Sequence, residues 1–233
     1  MIGWKTPDTE PSDRKHLHPA PCDELDEASV QNREVDLRQL LTTTMARSYA
    51  RLRARVEGLT DEEFFWQPLP DSWTIYADKP EHWTYHYAIP EPDPAPLTTI
   101  GWQLVHLGTT KLMYHEWAYG DARLTFPQIE IPSGPAGALQ LLERGQSMLA
   151  HDLRATPDAQ LDEPRKTNWG DLWPAWRIFT TMADHDAFHG GVIGYLRDLY
   201  YWTSAKEQRS GRGFPPTTRR RRPDASGSTR PRR

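Results

Sequence analysis

Four separate stretches of this chain space their apolar residues three and four apart, which is the repeat of a helix with one face turned inward. In the first, Leu37, Leu41, Met45, Tyr49, Leu52 and Val56 recur until Gly58 stops the pattern. The folded body is expected to begin near Ala28. A second fits Thr98 to Tyr119, with Trp102, His106, Thr109 or Thr110, Met113 and Trp117 on one stripe before Gly120. A third fits Ser133 to Arg154 with Leu139, Leu142, Gln146, Leu149 and Leu153 inward. A fourth fits Leu172 to Trp202, where Ile178, Met182, His185, His189, Ile193 and Leu196 share a face. Long amphipathic helices bury their stripes against one another, so the expected fold class is all-α, a four-helix bundle.

The connection between the first two helices is long for a compact bundle, which points to function or to an added element. Thr60-Asp61-Glu62-Glu63 has capping-box form and opens a short helix carrying Phe64, Phe65 and Trp66. Farther on, Trp83, Tyr85 and Tyr87 alternate with His82, Thr84 and His86, and Ser72 to Tyr76 is a partner strand across Asp78-Lys79-Pro80. A small hairpin is expected there. Residues 64 to 87 hold eight of the 25 aromatics, enough for one wall of a ligand cavity or for a cover over an open bundle edge.

Composition divides the chain. Of 28 Lys plus Arg and 32 Asp plus Glu, the segment from Lys206 carries ten and two, so the remaining 18 and 30 leave a net charge of −12. That basic end, with Arg219 to Arg222 in a row among Pro, Gly and Ser, has little apolar surface to offset ordering entropy. The expected organisation is a flexible arm over 1–27, a bundle over 28–203 and a disordered basic tail over 204–233. A basic arm can grip nucleic acid, but no aromatic interleaves with these arginines, and a solvated tail with no nucleic-acid partner is expected. No stretch approaches the apolar length of a membrane span, and Met1 to Lys15 has no signal-peptide centre, so the expected location is cytoplasmic with no membrane partner. A single cysteine, Cys22, excludes a disulfide framework and a Cys-rich zinc site.

Any metal must therefore sit on histidines and carboxylates. His185 and His189, four apart on a helix, stack one above the other about 5–6 Å apart at Cβ and can share one ion. Such pairs also occur as hydrogen-bonded core residues. Both lie on the apolar stripe, so each ring enters the interior and needs a partner there. His106 is on the inward stripe of the second helix, and three inward imidazoles from two helices complete a metal site with open positions. His185-Asp186-x-x-His189 lacks the glutamate of an H-E-x-x-H protease motif. His82 and His86, if extended, are about 13 Å apart and cannot chelate together. His115 is expected to face outward from the helix that turns His106 inward.

Gly190 and Gly191 follow His189 in mid-helix, where each costs about 0.8–1 kcal/mol relative to alanine, so a packed neighbour or a ligand is expected to need the space. Asp184 and Asp186 flank His185 and are placed either to orient an imidazole or to stand solvated on the adjacent face. The other carboxylates are expected on polar faces. There is no Gly-rich phosphate loop and no G-x-S-x-G elbow.

The segments Thr98-Thr99-Ile100-Gly101-Trp102-Gln103-Leu104-Val105-His106 and His185-Asp186-Ala187-Phe188-His189-Gly190-Gly191 with Gly194, Leu196 and Arg197, together with Ser72-Trp73-Thr74 and the Pro-rich run Pro90 to Pro96, resemble the DinB-like superfamily over residues 30 to 202. The resemblance implies an up-down-down-up bundle and one divalent metal, zinc or nickel, held by His106, His185 and His189. It also implies a thiol S-transferase acting on an electrophilic small molecule, with mycothiol, bacillithiol or glutathione as co-substrate. Arg outnumbers Lys 22 to 6, as in GC-rich coding sequences, which favours mycothiol. Trp73, Tyr87 and Trp102 are the candidate substrate contacts. The same site can instead generate hydroxide for a metal-dependent amide or ester hydrolase, and a non-catalytic metal- or small-molecule-binding bundle is the third reading. A homodimer is the expected assembly.

Overall fold

The computed structural model describes residues 36–211. Its helices are α1 (Leu37–Arg55), α2 (Asp61–Phe65), α3 (Ile100–Tyr119), α4 (Pro135–Ala155) and α5 (Ala175–Gly211). Two antiparallel hairpins accompany them, β1 (Ile75–Lys79) with β2 (His82–Tyr85), and β3 (Pro164–Lys166) with β4 (Leu172–Pro174). The fold is mostly helical. Among the described residues no helix is long and apolar enough to cross a membrane.

The four long helices pack α3 on α4, α1 on α5, α3 on α5 and α1 on α4. Leu52, Val56, Phe64, Ile75, Ile100, Leu104, Leu142 and Ile193 belong to one buried cluster, and Leu41, Met45, Leu149, Ile178, Phe179 and Met182 to a second. Each of these side chains contributes about 1.5–3 kcal/mol by leaving water. Helix α3 is the central rod. Residues 100–105, 107–109 and 111–114 are all buried, so it has inner surfaces on several sides where its spacing predicts one stripe.

Local chemistry accounts for the element ends. Thr60 and Glu63 close the capping box as predicted, each side chain meeting the other residue's backbone N–H. Helix α3 starts at Ile100 because the Thr99 hydroxyl accepts from Trp102 N–H at 3.1 Å. Thr98, expected as its first residue, instead bridges in parallel to Trp73, with Trp73 N–H on Leu97 O at 2.7 Å and Thr99 N–H on Trp73 O at 2.8 Å. At the end of α1, Arg197 of α5 donates to the carbonyls of Arg55 (3.0 Å) and Glu57 (2.8 Å) while its Nε and Nη2 grip Glu63. One planar guanidinium thus joins α5, the α1 terminus and α2.

Other boundaries also differ from what spacing predicts. The first hairpin is real but shifted, with Ile75 opposite Tyr85 and the turn at Pro80-Glu81, because Trp73 pairs with Thr98. The fourth helix begins at Ala175, since Leu172–Pro174 is strand β4: a proline lacks the N–H a helix interior needs and pushes its predecessor extended. That helix also runs past Trp202 to Gly211. The expected arm over 1–27, the start of the folded body near Ala28 and the Arg219–Arg222 run lie outside the described residues.

Candidate metal centre

His106 projects from α3 toward α5, whose His185 and His189 meet it one helical turn apart. Ring centroids are 5.0 Å apart for His106 and His185, 4.9 Å for His106 and His189, and 4.3 Å for His185 and His189. The Nε2 atoms converge, that of His185 standing 3.2 Å from His106 Nε2 and 3.0 Å from His189 Nε2. All three ligand atoms lie within 4.8 Å of one another.

Burial decides their charge. Desolvation is the main cause lowering all three pKa values, to about 3 for His106, about 4 for His185 and about 2 for His189. The other imidazoles add to the effect at His106 and His189, and the Lys111 charge adds to it at His185. The rings are neutral at pH 7, as metal ligands must be. A neutral imidazole carries one proton, on Nδ1 or on Nε2, so with the protons on Nδ1 the three facing Nε2 atoms present opposed lone pairs. One cation relieves this, because metal–nitrogen bonds of about 2.0–2.1 Å imply nitrogen separations of about 3.0–3.4 Å. The donor set fits a divalent ion.

The surroundings of the rings are unequal. Trp102 stacks flat on His106, centroids 4.8 Å apart and planes 10° apart, and its Nε1–H donates to His86 O at 2.7 Å. Trp73 packs 5.8 Å from Trp102. The other side opens on a cavity of ≈ 160 Å³ lined by His106 and His185 with Tyr87, Phe126, Trp169, Met113, Met182 and Asn168 among its walls. Of the three expected substrate contacts, Tyr87 lines this cavity, whereas Trp102 backs His106 and Trp73 backs Trp102.

Neither flanking aspartate bonds a histidine. Asp184 is exposed. Asp186 is buried and turns to Lys111 of α3, whose ammonium also donates to Gln146 of α4 at 2.9 Å. His189 finds a different partner: its Nδ1 donates to Oε1 of Gln103. Gln103 and Lys111 escaped the sequence reading, although Gln103, one turn before His106 on the same face, was a polar residue that burial obliges to find a partner.

His115 corrects another expectation. It is turned toward α4, not outward, with Nδ1 2.6 Å from Oδ2 of the buried Asp152. The far side of α3 is itself covered, so both His115 and its carboxylate enter the interior. A larger cavity of ≈ 660 Å³ opens beside His115, but no other imidazole lines it, whereas His106 and His185 of the three-histidine cluster line the smaller one. His86 accepts Thr74 N–H at 3.0 Å through Nδ1, and His82 pairs with Asp78, so the hairpin histidines serve the hairpin.

The glycines after His189 also correct the reading. A Cβ on Gly190 would meet Leu52 at 3.5 Å, an ordinary contact, and one on Gly191 would meet nothing. Close approach occurs between α3 and α4 instead: a Cβ on Gly108 would stand 2.8 Å from Leu141, and one on Gly145 would stand 2.7 Å from Cβ of Lys111.

No curated protein sequence matches this chain. The family model described as DinB superfamily matches residues 44–193, a span that is more than half of the chain and contains His106, His185 and His189. With that match added to the mostly helical fold, the chain belongs to the DinB superfamily.

Proposed function

We propose that this chain is a metal-dependent enzyme in which His106, His185 and His189 hold one divalent cation, zinc or nickel, at the floor of the aromatic cavity. The convergence of three neutral Nε2 atoms, 3.0 and 3.2 Å apart along the two close edges, carries the reading. The reaction is a thiol S-transfer to an electrophilic small molecule, with mycothiol as the thiol; the resemblance to DinB-type transferases and the cavity beside the imidazoles support it. The bundle runs up-down-down-up, and a homodimer is its assembly.

A bound cation supplies Lewis acidity that lowers the pKa of a thiol or water at its open position. The protein does the rest. Trp102 fixes the plane of His106 by stacking. Tyr87, Phe126 and Trp169 exclude water from the electrophile and offer it apolar contact, while Asn168 and Thr110 give polar contacts that orient it. At ≈ 160 Å³ the cavity accepts a group about the size of one aromatic ring, since a cavity of about 150 Å³ holds benzene.

Metal analysis of the purified chain should return about one divalent ion, lost in His185→Ala. Unchanged metal content after replacing all three histidines by alanine would reject the site. Incubating the metal-loaded protein with mycothiol and an electrophile should then yield an S-conjugate by mass spectrometry. Turnover of an amide or ester without thiol would favour a hydrolase instead, and metal binding with neither reaction a non-catalytic bundle.

A further inference from the structure

We propose that Gln103 is a positioning residue: its side-chain carbonyl holds His189 in the tautomer that presents a bare Nε2 to the cation, and Thr98 anchors the amide from behind. The inference rests on the metal-holding role proposed above for the three histidines. The rings differ in what lies behind them. Nδ1 of His106 and Nδ1 of His185 are buried with no hydrogen-bond partner, whereas Nδ1 of His189 donates to Gln103 Oε1. A proton held at Nδ1 leaves Nε2 with its lone pair, and that atom stands 3.0 Å from His185 Nε2 inside the cluster.

The amide can serve only one way round. With Oε1 toward His189, Nε2 of Gln103 donates to Thr98 Oγ1 at 2.6 Å. Reversed, the amide nitrogen would donate to Nδ1 and drive the imidazole proton onto Nε2, the position a cation needs. The hydroxyl of Thr98 can satisfy the far end of the amide in either sense, so a cation at the three nitrogens would favour the orientation seen here. Gln103 is 5 % exposed, and Thr98 is held by the Trp73 bridge, so solvent has little part in the choice. The segment joining α2 to α3 therefore reaches a metal ligand through Trp73, Thr98 and Gln103 in series.

This chemistry ranks substitutions in an order that packing alone would reverse. A carboxylate can only accept, so in Gln103→Glu it takes the Thr98 O–H and the His189 Nδ1–H and enforces the same tautomer. In Gln103→Leu the shape is largely kept and the acceptor is gone. A purely structural role would favour leucine over a buried carboxylate.

The test is zinc affinity by chelator competition on the full chain and its variants, together with ¹⁵N shifts of His189 in the metal-free protein. Gln103→Leu should weaken zinc binding about 10–100-fold, Gln103→Glu should bind no more weakly than the parent, and the parent's His189 should be protonated at Nδ1. Equal affinity in Gln103→Leu, or an equal loss in both variants, would overturn the proposal. If the parent binds no zinc, the metal reading fails, and the ¹⁵N shifts alone then decide: Nδ1 protonation lost in Gln103→Leu supports the tautomer role, and Nδ1 protonation unchanged refutes it.

Discussion

Lys111 and Asp186 meet across the interior between α3 and α5, Nζ standing 2.9 Å from either carboxylate oxygen with both side chains 1 % exposed. Oδ2 is aligned as a hydrogen-bond acceptor, while Oδ1 faces the ammonium without that alignment. Burial pulls the Lys111 pKa down and pushes the Asp186 pKa up, and each charge partly offsets the effect on the other. Lys111→Met would leave a buried carboxylate without a counter-charge at a cost of about 3–5 kcal/mol. Urea unfolding should show that loss, and Lys111→Met combined with Asp186→Leu should recover most of it. A single variant as stable as the parent would mean that Asp186 is not charged in the fold.

The glycines give a prediction of opposite signs. Gly191 is exposed and open, so Gly191→Ala should raise stability by up to about 0.8–1 kcal/mol by helix propensity alone. Gly145→Ala drives a methyl against Lys111 Cβ and the Gly108 carbonyl and should lower stability by about 1–3 kcal/mol. Thermal midpoints of both variants measure the contrast, and a stabilising Gly145→Ala would contradict the tight α3–α4 contact.

Acid should unfold the metal-free protein through the same histidines. Their folded-state values, about 4 for His185 and about 3 for His106, lie below the ordinary 6.5, so below that pH the unfolded chain binds more protons. The stability they contribute is full above pH 6.5 and is lost as pH falls toward 4 and 3, each ring adding up to about 1.4 kcal/mol per pH unit. Denaturant midpoints from pH 7 to 4 should fall steeply in the parent and less in His185→Leu. Parallel slopes would mean that the imidazoles are solvated.

A cation that binds only the folded chain must stabilise it. At a free zinc concentration about 100 times the dissociation constant, the gain is about 2.7 kcal/mol. The thermal midpoint should rise with zinc, return to the metal-free value with chelator and stay there throughout in His106→Ala. A zinc-dependent rise of equal size in that variant would place the ion elsewhere.

Residue spacing alone specified the helical class, the Thr60–Glu63 capping box, a hairpin in the long connection and inward faces for His106, His185 and His189. These are local properties, since a period of three and four says which side of a helix is apolar. Spacing says nothing about which residue of another helix stands opposite. Spacing predicts one stripe for α3 and so turns His115 to solvent, yet α4 covers that side of the helix. Gln103 and Lys111 found their partners 86 and 75 residues away in sequence. The tertiary structure alone set the level at which α3 crosses α5, and with it the meeting of three nitrogens, because that level follows from contacts between the two helices such as Lys111 with Asp186 and Gln103 with His189.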